Sequence, residues 1–127
     1  MKLLRLFSAL MVSVSCMTHA DELRIYNWYE YIPDDVISDF EKETGTKVIY
    51  DAYDSQEAME AKLLTGGSGY DLAFSGAVGI DRLIQAKSIV KLDKSKLSNL
   101  GNIGEAFMKL ERSTGDTSNE YAVPYLW

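Results

Sequence analysis

Cysteine and histidine occur once each in the 127 residues, as Cys16 and His19, and both fall within the first twenty. Those twenty residues read as a leader. Lys2 and Arg5 make a basic start, Leu6 to Met17 is mostly apolar, and Thr18-His19-Ala20 closes with small residues at the −3 and −1 positions. This is the pattern of a secretory signal, predicted to be cut after Ala20. The apolar stretch is too short and too rich in serine to span a bilayer. A buried N-terminal helix and a lipoprotein signal are the alternatives. The second is disfavoured because Ser13 stands three residues before Cys16, where a large aliphatic belongs.

With residues 1–20 removed, the remaining 107 residues hold neither thiol nor imidazole. Cys–His and Ser–His–Asp catalysis are thereby excluded, as are thiolate and imidazole metal sites. There is no disulfide to form, so the fold must rest on its core. Cationic charge is scarce as well. The whole chain has 13 Lys and Arg against 19 Asp and Glu; the loss of Lys2 and Arg5 leaves 11 against 19, a formal charge of −8. That balance argues against nucleic acid and anionic membranes, and favours cationic ligands.

What is present is an alternation of strand and helix signals. Leu23–Trp28 reads as a strand. Pro33 stands where a first helical residue belongs, Asp34 and Asp35 complement the helix dipole, and Val36, Ile37 and Phe40 form one apolar face that ends at Gly45. Lys47–Tyr53 reads as a second strand. Asp54, with Glu57 three residues on, is the predicted cap of a second helix ending at Gly66-Gly67. Tyr70–Ser75 is a third strand. Ile80, Leu83 and Ile84 mark a third helical face, Ile89–Leu92 a short fourth strand, and residues 103–111 a weak helix. The order β-α-β-α-β-α-β predicts an α/β fold with a mostly parallel sheet flanked by helices. The apolar run Tyr121–Trp127 is expected to continue into a longer protein, because chain termini usually lie at the surface.

In such folds ligands bind beyond the carboxyl ends of the strands. Trp28-Tyr29-Glu30-Tyr31 is a strand-to-helix loop of that kind, with three rings around one carboxylate. Aromatic faces attract ammonium groups and a carboxylate adds a charge-assisted hydrogen bond, so the loop suits an amine. Rings packed into the core beside a solvated Glu30 are the other reading of the same residues. Ser75-Gly76-Ala77-Val78-Gly79 occupies the corresponding place after the third strand, as a ligand loop or as an ordinary turn. Thr65-Gly66-Gly67-Ser68-Gly69 runs from helix to strand and lacks the remaining residues of either a dinucleotide fingerprint or a P-loop, so it reads as a helix stop. The acid pairs Asp34-Asp35 and Glu41/Glu43 read as a solvated face, with no calcium-loop spacing around them.

"LRIYNWYEYIPDDVISDFEKETGTKVIYDAYDSQEAMEAKLLTGGSGYDLAFS", "KLDKSKLSNL" and "YAVPYLW" together resemble the periplasmic polyamine-binding proteins, the spermidine/putrescine receptors of ABC importers. The resemblance runs over nearly all of residues 23–127. It is most specific at Tyr-Asn-Trp-x-acid-Tyr, "KETG", "LDKSKL" and "PYLW". It implies a two-lobed solute-binding fold of type II, of which this chain would be the first part of lobe one, with residues 1–20 as the signal peptide and the second lobe absent. It implies reversible binding of putrescine or spermidine in an inter-lobe cleft, an inner-membrane ABC permease as partner, a periplasmic location, and no cofactor, catalysis or nucleic acid. Carried over residue by residue, Trp28 would lie along the polyamine or face an amine, and Glu30 and Tyr31 would border one end. Tyr29 departs from the usual Ser or Thr. The family's Pro-Ser loop matches at Ser75, but Gly76 and Val78 lack the hydroxyl or ring that contacts ligand there. The same fold tuned to another small organic solute, and an exported carboxylate-dependent hydrolase, are the competing expectations.

Overall fold

A computed structural model of the chain describes residues 21–66 and 68–126. The proposed leader lies outside the described residues, as do Gly67 and Trp127. The elements are β1 (Glu22–Trp28), α1 (Asp34–Thr44), β2 (Lys47–Tyr53), α2 (Gln56–Leu64), β3 (Leu72–Ala73), α3 (Ala77–Gln85), two single-turn 3-10 helices (Lys94–Lys96 and Leu100–Asn102) and α4 (Glu105–Arg112). The three strands form one parallel sheet in the order β2-β1-β3. Residues of β1 from Glu22 to Trp28 pair with Lys47 to Tyr53 of β2, and Ile25 and Tyr26 pair with Leu72 and Ala73 of β3.

Parallel partners point to the same side of a sheet, so the register sorts the side chains into two faces. Tyr26, Trp28, Tyr53 and Ala73 share one face, and it carries the core. There Tyr26, Tyr53, Met59, Leu63 and Leu83 form a buried cluster, with Trp28, Tyr70, Ala73 and Ile89 packed at its margin. Helix α2 supplies Met59 and Leu63, and α3 supplies Ile80 and Leu83 among its buried residues. Tyr70 stacks on Tyr26 with ring centroids 4.6 Å apart, and Lys62 Nζ lies 4.7 Å and 4.8 Å from the two centroids, which closes the margin with a cation over rings.

Several expectations need correction. The apolar stripe of α1 is not a core face: the helix buries no residue, and Val36 and Phe40 are exposed. The strong buried cluster lies across the sheet, and α1 is held to β2 by Glu41, whose Oε1 accepts the Val48 N–H at 2.7 Å. Glu41 is therefore bound rather than solvated, whereas Glu43 is exposed. Pro33 is the N-cap, with an extended ψ of 149°, and the helix begins at Asp34. Helix α2 is capped by Ser55, which accepts the Ala58 N–H, and not by Asp54. Strand β3 has two residues rather than six, because the Arg24 N–H goes to the side chain of Asp71 instead of a strand carbonyl. Ile89–Leu92 is no strand. Among the described residues the segment makes one backbone bond, Leu92 N–H to Glu120 O at 2.7 Å, where pairing along the free edge of β3 would need several. Gly45 ends α1 as expected, in the left-handed region at φ 73°.

Candidate functional site

The chain moves from β1 to one neighbour, β2, and then crosses to the other, β3. The direction of winding reverses at β1, so the crevice beyond the carboxyl ends of β1 and β3 is the switch point at which open α/β folds bind ligands. The loops that leave those two strands carry Trp28–Tyr31 and Ser75–Val78, so the topology brings the two predicted segments to one end of the sheet.

The first loop is a turn. Tyr31 N–H reaches Trp28 O at 3.4 Å, and Glu30 sits third in the turn with φ 60°. A turn with positive φ at its third position ordinarily carries Gly or Asn there. A glutamate held in that conformation is strained, and such strain gathers at functional sites. Glu30 is exposed and makes no hydrogen bond or ion pair among the described residues. Trp28 is half-buried, with its ring 4.6 Å from Tyr53 and 6.2 Å from Tyr31, centroid to centroid. Tyr31 is 45 % exposed and Tyr29 67 % exposed. The rings thus divide: Trp28 belongs partly to the core, whereas Tyr29 and Tyr31 stand at the surface around an unpaired acid.

The second loop is held from below by α2. Gln56 Oε1 accepts the Gly76 N–H at 2.9 Å, while Gln56 Nε2 donates to Ser75 Oγ at 3.3 Å and to Glu60 Oε1 at 2.8 Å. Ser75 Oγ in turn donates to Gly76 O at 2.9 Å. The Ser75 hydroxyl and the Gly76 N–H and carbonyl are therefore engaged internally. A Cβ on Gly76 would come within 2.9 Å of Gln56 Oε1, and one on Gly79 within 2.3 Å of Gln56 Nε2, so close packing against Gln56 accounts for both glycines. Val78, on the first turn of α3, is 76 % exposed. Beyond the loop, Tyr53 Oη donates a short hydrogen bond to Phe74 O, and burial pushes the Tyr53 phenol well above its ordinary value. Tyr125 meets Phe74 edge-on at 4.8 Å. Among the described residues no group of three or more acids stands together to hold a metal.

No family profile matches the chain. It is 47 % identical over 119 residues to the putrescine-binding periplasmic protein SpuD of Pseudomonas aeruginosa, covering 91 % of this chain and 32 % of that protein. It is 42 % identical over 125 residues to the putrescine-binding periplasmic protein PotF of Escherichia coli, covering 96 % of this chain and 34 % of the relative. Among solved structures, the spermidine/putrescine substrate-binding protein PotD of Streptococcus pneumoniae superposes with a TM-score of 0.78 at 38 % identity, over 85 % of this chain and 32 % of that one. The PotD lipoprotein of Treponema pallidum gives 0.76 at 38 % identity, over 84 % and 33 %. The chain is homologous to the periplasmic polyamine-binding proteins. It spans about a third of the length of these relatives. The α/β solute-binding fold expected from the sequence is the one found, as part of a domain.

Sequence reasoning missed the support beneath the second loop. Glu60 is buried, and its carboxylate takes Arg82 Nε at 2.7 Å and Arg82 Nη2 at 2.6 Å. These bonds from Arg82, and then the one from Gln56, hold the Glu60 carboxyl below its ordinary value against the opposing effect of burial. A carboxyl whose folded pKa is depressed adds stability above its unfolded pKa, and that stability is lost as pH falls through the folded value. Glu60→Gln is therefore expected to melt below the parent chain at pH 7, and the gap to close as the pH falls below about 4, the ordinary carboxylate range. Melting curves from pH 7 to pH 3 check this, and a constant gap would assign the loss to packing instead.

Proposed function

We propose that this chain forms one wall of a polyamine site in the solute-binding component of an ABC importer. The observation that carries the reading is the turn at the switch point, where the unpaired, strained Glu30 stands among Trp28, Tyr29 and Tyr31. Rings and a lone carboxylate are what an alkyl diammonium ion needs: faces for methylenes and ammonium groups, and one counter-charge. Trp28 and Tyr31 supply the faces, Glu30 the charge, and Ser75, Gly76 and Val78 the neighbouring edge of the cleft. Residues 1–20 are the export signal and residues 21–127 the first part of lobe one of a two-lobed periplasmic receptor. Ligand is captured reversibly by closure of the lobes and handed to an inner-membrane permease. No bond is broken, in keeping with an exported chain that has neither thiol nor imidazole.

A single wall binds weakly, so the expected affinity of the chain itself is millimolar. Titration of the full chain with putrescine, followed through the ring resonances of Trp28 and Tyr31, is expected to give saturable shifts at the carboxyl end of the sheet. Resonances there that ignore putrescine, while the protein is folded, would refute the assignment.

A further inference from the structure

We propose that Tyr29 and Asp54 form a second ammonium subsite beside the switch point, which selects a linear triamine over a diamine; this rests on the polyamine reading above. An open hollow of about 450 Å³ lies beyond the carboxyl ends of β1 and β2, lined by Tyr29, Ala52, Tyr53 and Asp54. It is on the β2 side of β1, whereas the crevice at the switch point is on the β3 side.

Each lining residue has a reason to be there. The Tyr29 N–H donates to Tyr53 O at 2.9 Å, which fixes the backbone of Tyr29 over the end of β2 and leaves its ring 67 % exposed. Ser55 caps α2, so Asp54 is released from that duty. Asp54 is exposed and has no hydrogen bond or ion pair among the described residues. The phenol of Tyr53 is spent on Phe74 O, and Ala52 contributes only a methyl group. The hollow therefore offers one aromatic face and one unpaired carboxylate, with no lysine or arginine in its lining. That is the chemistry of a primary ammonium site. Serine at position 29 would remove the wall. Tyr29 creates the hollow.

The spacing also fits. Adjacent strands lie about 4.8 Å apart, so the two crevices are separated by roughly one strand spacing. A short alkyl spacer between two ammonium groups covers that distance. A triamine seated along Trp28 and Glu30 can place one further ammonium between Tyr29 and Asp54, whereas a diamine does so only by giving up one of its two ammonium contacts at the switch point.

The test compares spermidine and putrescine on the full chain by NMR titration at physiological salt. Spermidine is expected to bind about fivefold more tightly and to shift the resonances of Tyr29 and Asp54 as well as those of Trp28. Tyr29→Ser and Asp54→Asn are each expected to bring the affinity ratio of the two amines towards one. The acidic chain attracts a trivalent cation at any place, so the ring is the discriminating variant. A ratio that survives Tyr29→Ser reports net charge and overturns the subsite. Equal affinities, with shifts confined to Trp28 and Tyr31, overturn the subsite but leave the polyamine reading intact. Absence of any shift with either amine overturns both.

Discussion

Asp116→Ala is expected to lower the stability of the folded chain by about 3 kcal/mol, the loss of several charge-assisted hydrogen bonds at one buried group. Asp116 is 2 % exposed, and its carboxylate accepts three backbone donors: Glu120 N at 2.8 Å, Tyr121 N at 2.7 Å and Ala122 N at 3.0 Å. Its own carbonyl takes the Asn119 N–H at 2.9 Å. The loop is tied in on both sides. Asn119, buried and at φ 51°, accepts from Arg112 Nη1 at 2.8 Å and donates to Met108 O at 3.1 Å, which fastens it to α4. Gly115, at φ 110°, lies so near α3 that a Cβ there would come within 2.5 Å of Asp81 Cβ. A drop in melting temperature of roughly 10–20 °C follows for a domain of this size. Asp116→Asn keeps an acceptor and is expected to lose about half as much. Burial, then the charge of Asp116, raise the Glu111 carboxyl above its ordinary value, so in either variant Glu111 should titrate at lower pH than in the parent. A melting point for Asp116→Ala within a degree or so of the parent would show that water replaces the carboxylate without loss. The consequence reaches the site, because the loop sends residues 121–126 back to the sheet, where Tyr125 packs on Phe74 beside Ser75.

The legible parts of this fold are those decided by neighbours in sequence. Lys47–Tyr53 was readable as a strand to the residue, and Gly45 as a stop, since alternation and a left-handed cap are local properties. What escaped is decided by distant partners. Tyr70–Ser75 has the composition of a six-residue strand, but the side chain of Asp71 intercepts the Arg24 N–H. Ile89–Leu92 has the β-branched composition of a strand, yet the backbone bond it makes goes to Glu120 and not to the sheet. The periodicity of α1 marks an apolar stripe correctly, and cannot say that the larger cluster forms across the sheet. Asp54 and Ser55 both satisfy the spacing of a helix cap; the choice of Ser55 depends on the Ala58 N–H.

The same contrast holds at the site. Trp28, Glu30 and Tyr31 could be singled out because a strand-to-helix loop rich in rings and bearing an acid is visible in the sequence. Their placement at the same end of the sheet as Ser75 depends on the 2-1-3 strand order, which no local signal carries. Gln56, Glu60 and Arg82 were invisible because the bonds joining them span up to 22 residues. Gly76 and Gly79 lie in the segment that reads as a ligand loop or an ordinary turn, and the partner they accommodate is Gln56.

Glu30→Gly is expected to stabilise the protein and weaken amine binding, two effects of opposite sign from one residue. A non-glycine residue in the left-handed region costs about 1–2 kcal/mol. The added freedom of glycine in the unfolded chain takes back about 0.4–1 kcal/mol. A net gain of roughly 0.5–1 kcal/mol remains, or a few degrees in melting temperature. Among the described residues Glu30 makes no hydrogen bond or ion pair that its removal would forfeit. Glu30→Gln keeps the strained φ of 60° and the side-chain length but loses the charge, so its stability should match the parent's. Both variants are expected to bind putrescine about tenfold or more weakly, as befits the loss of a charge-assisted hydrogen bond to an ammonium group. Calorimetric melting and NMR titration of the three chains separate the outcomes. A stabilised Glu30→Gly with undiminished amine affinity would leave the strain unconnected to the ligand. A destabilised Glu30→Gly would mean that the carboxylate holds the turn rather than the amine. Stability gained as binding is lost is the signature of a residue kept in an unfavourable conformation for what it binds.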